Sequence, residues 1–301
     1  MEIRHLRCFL AVAEELHFAR AAERLHIDQS PLSRTIKELE EELGAHLFIR
    51  TTRSTQLTRA GRLFLEHVPR IFAALDQARD SVKSAANGFH GQLRIALSDG
   101  VTPSRLPALL ARCREEDPEV EIRLFEVPLS QQIKGLHSDL YDAGFSMADD
   151  VGDGILVAPA WEDEVMVAVP ARHPVLAYRR VPLEEVLRYP LVLGDPAACE
   201  GHARQIDRIL RKQKLEPMIV QHVTSYDLMM TFVSAGIALG LAGAAHITAS
   251  RDPGVIARPL AGKQPLLTTY LLRRDKEPSE MLTRFVERVG CIDEADTTDD
   301  S

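Results

Sequence analysis

A group of hydrogen-bonding and basic side chains near the N-terminus has the composition of a surface that contacts nucleic acid. The group consists of Gln29, Ser30, Ser33, Arg34 and Lys37. Guanidinium and ammonium groups bind phosphates, and a helix that enters the major groove presents the residues of its N-terminal end to base edges. An ordinary helical hairpin with a solvated polar face explains the same residues, because short patterns of this kind often arise by chance.

The elements that would position this group are two short helices joined by a tight turn. Residues 18–25 carry alanines and a leucine at helical spacing, and Asp28 is a suitable N-cap for the second helix. Pro31 falls in the first turn of that helix, where a missing N–H costs little. The buried face of the second helix is predicted to consist of Leu32, Ile36, Leu39 and Leu43.

A second set of candidate binding residues follows predicted strands in the rest of the chain. From Gln92 onward, strands and helices alternate, which predicts a mainly parallel sheet. Open α/β folds bind ligands at the carboxyl ends of their strands. Each residue there is also a common turn or N-cap residue when taken alone, but together they predict a small-molecule site. They are Ser98, Asp99, Gly100, Thr102, Val127, Pro128, Gly194, Asp195, Thr224 and Ser225.

The distribution of charge separates the two parts of the chain. The 301 residues carry a formal net charge of −8. Residues 1–62 hold ten basic and nine acidic residues, whereas the remainder holds 26 and 35. The stretch 43–65 contains four arginines and no acid. Because a local basic patch sets the attraction for phosphates, the negative total does not exclude nucleic acid as a partner.

Several functional classes lack support in the sequence. The N-terminus is amphipathic and charged rather than a signal peptide, and no apolar run approaches the roughly 18–20 residues of a membrane helix. The four cysteines are not at metal or redox spacing, and we find no nucleophile motif or phosphate loop. We therefore expect a cytoplasmic protein that is not an enzyme and uses no metal or cofactor.

Residues 1–62 closely resemble the DNA-binding domain of LysR-type transcriptional regulators, and the match continues to about residue 290. The residues that carry the N-terminal resemblance are Leu6, Phe9, Val12, Ala13, Phe18, Ala21, Ala22, Leu25, Gln29, Ser30, Leu32, Ser33, Ile36, Leu39, Glu40, Leu43, Gly44, Leu47, Phe48, Arg50, Leu57, Thr58, Ala60 and Gly61. Within the family, residues 64–66, 274–276 and 285–287 are most similar to regulators of aromatic-compound catabolism that sense muconate-like acids.

The resemblance implies an N-terminal all-α winged helix-turn-helix, a long linker helix, and a C-terminal α/β effector domain of the two-lobed, periplasmic-binding-protein-like type. The expected domains are 1–58 for DNA binding and 59–87 for the linker helix. The effector domain would span 88–291, with lobe I at 91–161 and 267–291 and lobe II at 162–266. We expect the acidic tail, 292–301, to be disordered.

The family's mode of action supplies the expected partners. The linker helix would pair with its copy in a second subunit, so that a homodimer, and by further association a homotetramer, binds an interrupted palindrome in double-stranded DNA. RNA polymerase is a further candidate partner. The alternative function is a small-molecule binding protein or sensor with no direct role on DNA. The expected DNA-binding residues are Arg20, Gln29, Ser30, Pro31, Ser33, Arg34, Lys37, Arg50, Arg53 and Ser54.

Two departures from the muconate-type relatives bear on the effector. Pro128 stands where those relatives carry a hydroxyl residue that helps to hold a carboxylate, and proline offers neither a side-chain donor nor an N–H. Asp99 adds a negative charge close by in the sequence pattern. We therefore expect an effector that is neutral or carries an amine, or a pocket without a natural small ligand. Cys199 lacks the paired cysteine of the peroxide-sensing members, so redox sensing is not expected.

Overall fold

The computed structural model describes residues 1–50, 54–86, 88–98, 100, 105–213 and 215–296. The chain forms two compact units, one of residues 1–79 and one of residues 80–301, and each is described by itself. No described helix is both long and apolar enough to cross a lipid bilayer.

The first unit is a helical bundle with a short hairpin. Aromatic contacts join its core, since the ring of Phe9 lies 5.4 Å from that of Phe48 and 4.8 Å from that of Phe64. Leu32, Ile36 and Leu39 of the predicted stripe are fully buried. The elements are α1 (Ile3–Glu15), α2 (Phe18–Arg24), α3 (Gln29–Leu43), β1 (Phe48–Arg50), β2 (Thr55–Leu57) and the start of α4 (Arg59–Ala86).

The end of α3 differs from the prediction in one respect. Leu43, the fourth residue of the predicted stripe, is exposed, because the helix stops at Gly44 in a left-handed conformation with φ +66°. At the other end Asp28 occupies the N-cap position, but its side chain makes no capping hydrogen bond. The turn into α3 therefore depends on its backbone hydrogen bonds, among them that from the N–H of Ile27 to the carbonyl of Ala22.

The second unit alternates strands and helices, as the sequence pattern predicts. It contains β3 (Gly91–Leu97), α5 (Arg105–Glu116), β4 (Val120–Glu126), α6 (Leu129–His137), β5 (Ala143–Ser146), β6 (Ile155–Pro170), a 3-10 helix (Pro174–Ala177), α7 (Leu183–Val186), β7 (Leu191–Gly194), α8 (Glu200–Leu210), β8 (Ile219–Val223), α9 (Tyr226–Ser234), β9 (Leu239–Gly243), α10 (Ala244–Ala249), β10 (Val255–Pro259), β11 (Leu266–Arg274) and α11 (Glu280–Asp296).

The strands form one curled sheet in the order β4-β3-β5-β11-β6-β9-β7-β8, with β10 paired to β6. β3 runs parallel to β4 and β5, and β7 runs parallel to β8 and β9, so each lobe has a parallel centre. Between these centres β6 and β11 run antiparallel and pass through both lobes. Separate apolar cores lie in the two lobes, around Phe145 and Trp161 in lobe I and around Val167 and Leu241 in lobe II.

The C-terminal helix extends further than the predicted tail boundary allows. We expected disorder from residue 292, but α11 runs through Asp296, because Ile292 is buried in the core of lobe I with Phe285 and Val289. Positions 297–301 of the predicted tail lie outside the described residues.

Candidate nucleic-acid interface and ligand cleft

A cavity with a volume of 680 Å³ lies between α3 and β1 in the first unit, and we call its lining the concave surface. It brings together four of the predicted DNA-binding residues, and three others with them. The lining residues are Ser33, Arg34, Lys37, Glu40, His46, Phe48 and Arg50. Guanidinium, ammonium and hydroxyl groups on one concave face provide the donors that phosphates and base edges accept.

The remaining predicted DNA-binding residues lie around this surface or outside it. Gln29, Ser30 and Pro31 are exposed in the first turn of α3, and Ser54 is exposed just before β2. Arg53, at the tip of the predicted wing, lies outside the described residues.

Arg20 is tied to α1 rather than to the concave surface. Its guanidinium donates to the carbonyl oxygen of Glu15 at 2.8 Å, and the Glu15 carboxylate lies 3.7 Å from its Nε. His17 caps α2 by accepting a hydrogen bond from the backbone N–H of Arg20 at 3.4 Å. The exposed guanidinium is therefore restrained at the start of α2.

Glu40 fixes the hairpin to α3, a role that the sequence analysis missed. Its buried carboxylate accepts hydrogen bonds from the backbone N–H groups of Leu47 at 2.8 Å and Phe48 at 3.1 Å. These charge-assisted bonds set the position of β1 beside the C-terminal half of α3, where Glu40 lies. The clue in the sequence is a carboxylate directly beside the buried apolar stripe, which needs partners when it is covered.

The basic residues of the concave surface differ in how strongly they are held. The Arg50 guanidinium lies 4.4 Å from the Phe18 ring centroid and 3.5 Å from the Glu40 carboxylate, so protein contacts fix its direction. Lys37 forms an exposed ion pair with Glu41 at 3.4 Å. Arg34 is exposed and has no ion-pair partner among the described residues, which leaves its donors available to a ligand.

A cavity of 430 Å³ lies in the second unit, between the two lobes. Lobe I contributes the ends of β3 and β4, and lobe II contributes the starts of α8, α9 and α10. We call this cavity the cleft. It is lined by Ser98, Gly100, Glu126, Val127, Pro128, Ala198, Cys199, Thr224, Ser225, Tyr226, Asp227 and His246.

The cleft brings together most of the predicted strand-end residues that the structure describes. Ser98, Gly100, Val127, Pro128, Thr224 and Ser225 line it. Asp99 and Thr102 lie outside the described residues.

Gly194 and Asp195 do not line the cleft, contrary to the prediction. The Asp195 carboxylate turns back onto its own loop and accepts the N–H groups of Ala197 at 2.9 Å and Ala198 at 3.0 Å, which lower the pKa of that carboxyl. Gly194 lines a separate cavity beside α8, where a Cβ would lie 3.0 Å from His202 Nδ1.

A buried amide beneath the cleft fixes the Ser98 hydroxyl. Gln132 is fully buried, and its Nε2 donates to the carbonyl oxygens of Ala96 and Phe145, both at 3.0 Å. This orientation leaves its Oε1 as an acceptor, to which Ser98 Oγ donates at 2.9 Å. The Ser98 proton therefore points to Gln132, and toward the cleft this hydroxyl can only accept.

At one end of the cleft the lobes meet through three aromatic rings of lobe II, those of Tyr226, His246 and His202, and through Gly100 of lobe I. The Tyr226 ring stacks on His246 at 3.9 Å and lies edge-on to His202 at 5.2 Å. His246 Nε2 lies 2.6 Å from the Gly100 carbonyl oxygen, and because a carbonyl only accepts, Nε2 carries the proton. Burial lowers the pKa of His246 to about 4 and that of His202 to about 3, so both rings are neutral. Neither histidine is among the site residues predicted from the sequence.

Gly100 is required at this contact. Its φ of +65° is disfavoured for other residues, and a Cβ there would lie 2.5 Å from Cε2 of Tyr226. Any side chain would push the strand-end loop of lobe I away from α9.

The helix α8 of lobe II is fastened to lobe I. Arg208 makes a bidentate pair with Asp149 at 2.7 and 2.9 Å. Gln205 donates to the carbonyl oxygens of Met147 at 2.6 Å and Thr268 at 2.7 Å. A ligand that changes the position of α8 would therefore change the angle between the lobes.

Comparison with known proteins identifies both units. The model for the bacterial regulatory helix-turn-helix protein, lysR family, matches residues 3–62, and the model for the LysR substrate binding domain matches residues 86–290. The regulator AlsR of Bacillus subtilis (strain 168) is 33% identical over 239 residues, which is 79% of each chain. XapR of Escherichia coli (strain K12) is 32% identical over 265 residues, 88% of this chain and 89% of the relative.

The structural similarity extends over the full chain. The crystal structure of full-length CbnR with its target DNA superimposes with a TM-score of 0.76 at 27% identity, covering 97% of this chain and 100% of that one. These matches confirm the predicted family and fold class, and since the relatives are transcriptional regulators, the chain is not an enzyme. The chain belongs to the LysR-type family and is a DNA-binding transcriptional regulator with an effector-binding domain.

Proposed function

We propose that a homodimer of this chain reads an interrupted palindrome, one half-site through each concave surface between α3 and β1. The single observation that carries the proposal is the convergence of Ser33, Arg34, Lys37 and Arg50 on that surface. The set of DNA contacts also includes Arg20, Gln29, Ser30, Pro31, Arg53 and Ser54. We expect DNA binding to take place in the cytoplasm beside a promoter. RNA polymerase is therefore a further proposed partner.

The linker helix α4 supports the dimer. A helix of 28 residues spans about 42 Å, and Ile71 and Val82 are exposed apolar residues along it. Pairing with a second copy of α4 would remove them from water. The proposed domains follow from this role, with 1–58 for DNA, 59–87 for pairing and 88–291 for the effector.

A second apolar surface supports association of dimers into a tetramer. β8 is an edge strand of the sheet, and Ile219 and Val220 are exposed there, with Met218 exposed next to them. An unpaired edge with apolar side chains favours pairing with another protein surface. A tetramer would cover this edge with a neighbouring effector domain.

The cleft is the proposed effector site. Its position at the carboxyl ends of parallel strands is where open α/β folds bind ligands. Because residues of both lobes line it, occupancy would favour one lobe angle over another and thereby shift the regulator between two states on DNA.

DNA binding is tested by fluorescence anisotropy with the full chain. The affinity of the protein for a labelled duplex from the region upstream of the protein's own gene is compared with its affinity for a shuffled duplex of equal length and composition. We expect at least about a hundredfold preference for the upstream duplex, since specific sites exceed non-specific DNA by 10³ or more at physiological salt. Equal affinity for the two duplexes would contradict the proposal.

A further inference from the structure

His46 lies on the concave surface, although it is not among the site residues predicted from the sequence. Its side chain is 88% exposed and lines the cavity together with Arg34, Lys37 and Arg50. The Thr58 hydroxyl donates to the His46 carbonyl oxygen at 2.7 Å, so the backbone that carries the imidazole is fixed at the base of the hairpin. The imidazole therefore extends into solvent from a fixed position on this surface.

A buried carboxylate lies behind the imidazole. The Glu40 side chain is 7% exposed, and its Oε1 accepts the N–H groups of Leu47 and Phe48. Its Oε2 lies 3.5 Å from His46 Nδ1 and 3.5 Å from Arg50 Nη2. An acceptor on the Nδ1 side of the ring leaves Nε2 as the nitrogen that can face a ligand. Nε2 has no hydrogen-bond partner among the described residues.

The shape of a duplex determines which of its groups this surface would meet. A helix in the major groove and a hairpin beside it are separated by one sugar-phosphate backbone, which forms the edge of the groove. The cavity between α3 and β1 lies in that position. We therefore expect phosphates rather than base edges on the hairpin side of the cavity, which His46 and Arg50 line.

We propose that His46 is a further DNA-contact residue, which binds a phosphate in its protonated form. With Glu40 behind Nδ1 and a phosphate in front of Nε2, an imidazole donates to both acceptors only when both nitrogens carry protons. The charge of histidine side chains changes between about pH 5 and 8. DNA binding would therefore take up a proton at each concave surface, and affinity would fall as the pH rises through this range.

The charged groups around the ring determine the sign of this effect. Among the described residues of the cavity, α3 contributes Arg34, Lys37 and Glu40, and β1 contributes Arg50. These groups are present both in the free chain and in the complex, whereas a phosphate is added only by DNA. The phosphate attracts a charged imidazole and also compensates the charge of the neighbouring cations. The protonated form is therefore favoured more strongly in the complex than in the free chain.

The inference rests on the proposed reading of DNA by the concave surface, and it adds a contact and a dependence on pH to that function. A phosphate contact carries no sequence information. Loss of this contact should therefore weaken binding to the upstream duplex and to the shuffled duplex by the same factor. A contact to a base edge would weaken binding to the upstream duplex alone.

The test measures the affinity of the full chain for both duplexes by fluorescence anisotropy, at about pH 6 and about pH 8 and at one salt concentration. His46→Gln keeps a donor but cannot carry a charge. At about pH 6 this variant should bind each duplex at least about threefold more weakly than the unmodified chain, because it loses a charge-assisted contact. At about pH 8 the two proteins should bind within about twofold of each other.

Two further variants separate the effect of charge from an effect on structure. His46→Lys carries a positive charge at both pH values, so at about pH 8 it should bind both duplexes more tightly than the unmodified chain. His90→Gln is the matched control, because His90 Nδ1 also lies 3.4 Å from a carboxylate, that of Glu119, but belongs to the second unit. It should bind DNA as the unmodified chain does at both pH values.

Three results with His46→Gln would overturn the proposal. They are an unchanged affinity at about pH 6, a loss of affinity that is the same at both pH values, and a loss confined to the upstream duplex. Weaker binding by His46→Lys at about pH 8 would assign His46 a structural role instead. The proposed reading of DNA is tested separately, since it fails only if the unmodified chain binds the two duplexes equally.

Discussion

Individual residues of the nucleic-acid interface divide into those that hold its shape and those that are available to DNA. Glu40 and Phe18 use their contacts to fix the hairpin and Arg50, whereas Arg34 has no ion-pair partner in the described part of the chain. The same distinction applies in the cleft, where Gln132 orients Ser98 from below. Substitutions in the two groups should therefore affect different measurements.

Replacing Arg34 by alanine should weaken binding to the specific duplex by about 1–3 kcal/mol per half-site, because a bidentate contact to a base edge contributes that much discrimination. Binding to a shuffled duplex should fall much less. Anisotropy titrations on both duplexes provide the measurement. Arg211→Ala is a suitable control, since Arg211 is exposed on lobe II and pairs only with Asp207 among the described residues. Equal losses on both duplexes would exclude base reading by Arg34.

Replacing Glu40 by alanine should lower the free energy of unfolding of the first unit by about 1–3 kcal/mol, because the N–H groups of Leu47 and Phe48 lose a buried acceptor. Urea unfolding monitored by circular dichroism would measure the change. The neighbouring variant Glu41→Ala removes only an exposed pair with Lys37 and should stay within about 0.5 kcal/mol of the unmodified chain. If both variants were equally stable, the proposed anchoring by Glu40 would be wrong.

His202 and His246 should make stability depend on pH. Their pKa values of about 3 and about 4 lie below the value of about 6.5 in an unfolded chain. Below pH 6.5 the unfolded state therefore binds protons that the folded state does not, so stability decreases as the pH falls from about 6.5 toward 4. Each histidine should remove about 1 kcal/mol between pH 6.5 and 5.5.

Urea titrations at pH 6.5 and 5.5 would measure this loss, in a range where carboxylates stay ionised. His202→Leu should reduce the difference between the two pH values by about 1 kcal/mol. An unchanged difference in His202→Leu would show that His202 takes up protons equally in the folded and unfolded states, contrary to its lowered pKa.

Sequence patterns locate the cleft but not all of its residues. The strand-end rule finds Ser98, Val127 and Thr224 because the end of a strand determines where the backbone emerges. It fails at Asp195, whose side chain satisfies its own loop instead. His246 comes from α10, a short helix within an apolar run whose composition suits a helix and a strand equally, so its position in the cleft is not predictable from that pattern.

Among the elements, the longest helix and the longest strand have opposite relations to the sequence. The predicted linker helix, 59–87, corresponds to α4, which ends at Ala86, because its apolar spacing continues for seven turns without a break. The sequence of β6 is continuously apolar only after Glu164, although the strand begins at Ile155, because Pro159 and the acids after Trp161 interrupt the pattern. Proline is tolerated there since the pairing with β11 shifts register between Thr269 and Tyr270, next to Pro159.

A charge placed on the exposed apolar face of α4 should weaken the proposed dimer. Val82 is 71% exposed in the single chain, so Val82→Asp costs little in the monomer but would bury a carboxylate between two helices. We expect the dimer dissociation constant to rise at least about tenfold in sedimentation velocity. Lys83→Ala, at the next position, is the control. A dimer unaffected by Val82→Asp would place the interface elsewhere.

At the scale of the whole molecule, the effector domain is acidic whereas the concave surface of the first unit is locally basic. The two parts should therefore have opposite effects on DNA binding. Residues 1–62 have ten basic and nine acidic residues, whereas the rest has 26 and 35. An anionic body is repelled by phosphates, so it disfavours any approach except that of the first unit. In the proposed dimer, two such units would then bind the same face of a duplex.

Spacing between half-sites should therefore matter more than the sequence between them. Inserting about five base pairs turns one half-site to the opposite face, whereas inserting about ten restores the face at a greater distance. We expect the five-pair insertion to weaken binding more than the ten-pair insertion in anisotropy titrations. Equal weakening would argue that each subunit binds its half-site alone.

The uninterrupted course of β6 and β11 through both lobes determines what kind of motion the effector domain can make. Two paired strands resist bending in their own plane but yield to rotation about their length, and the irregularity beside Pro159 is where that resistance is lowest. The two strands therefore connect the lobes as an element that twists elastically, and not as a flexible hinge. A ligand bound in the proposed cleft would therefore rotate one lobe against the other about these two strands, and the rotation would reverse when the ligand leaves.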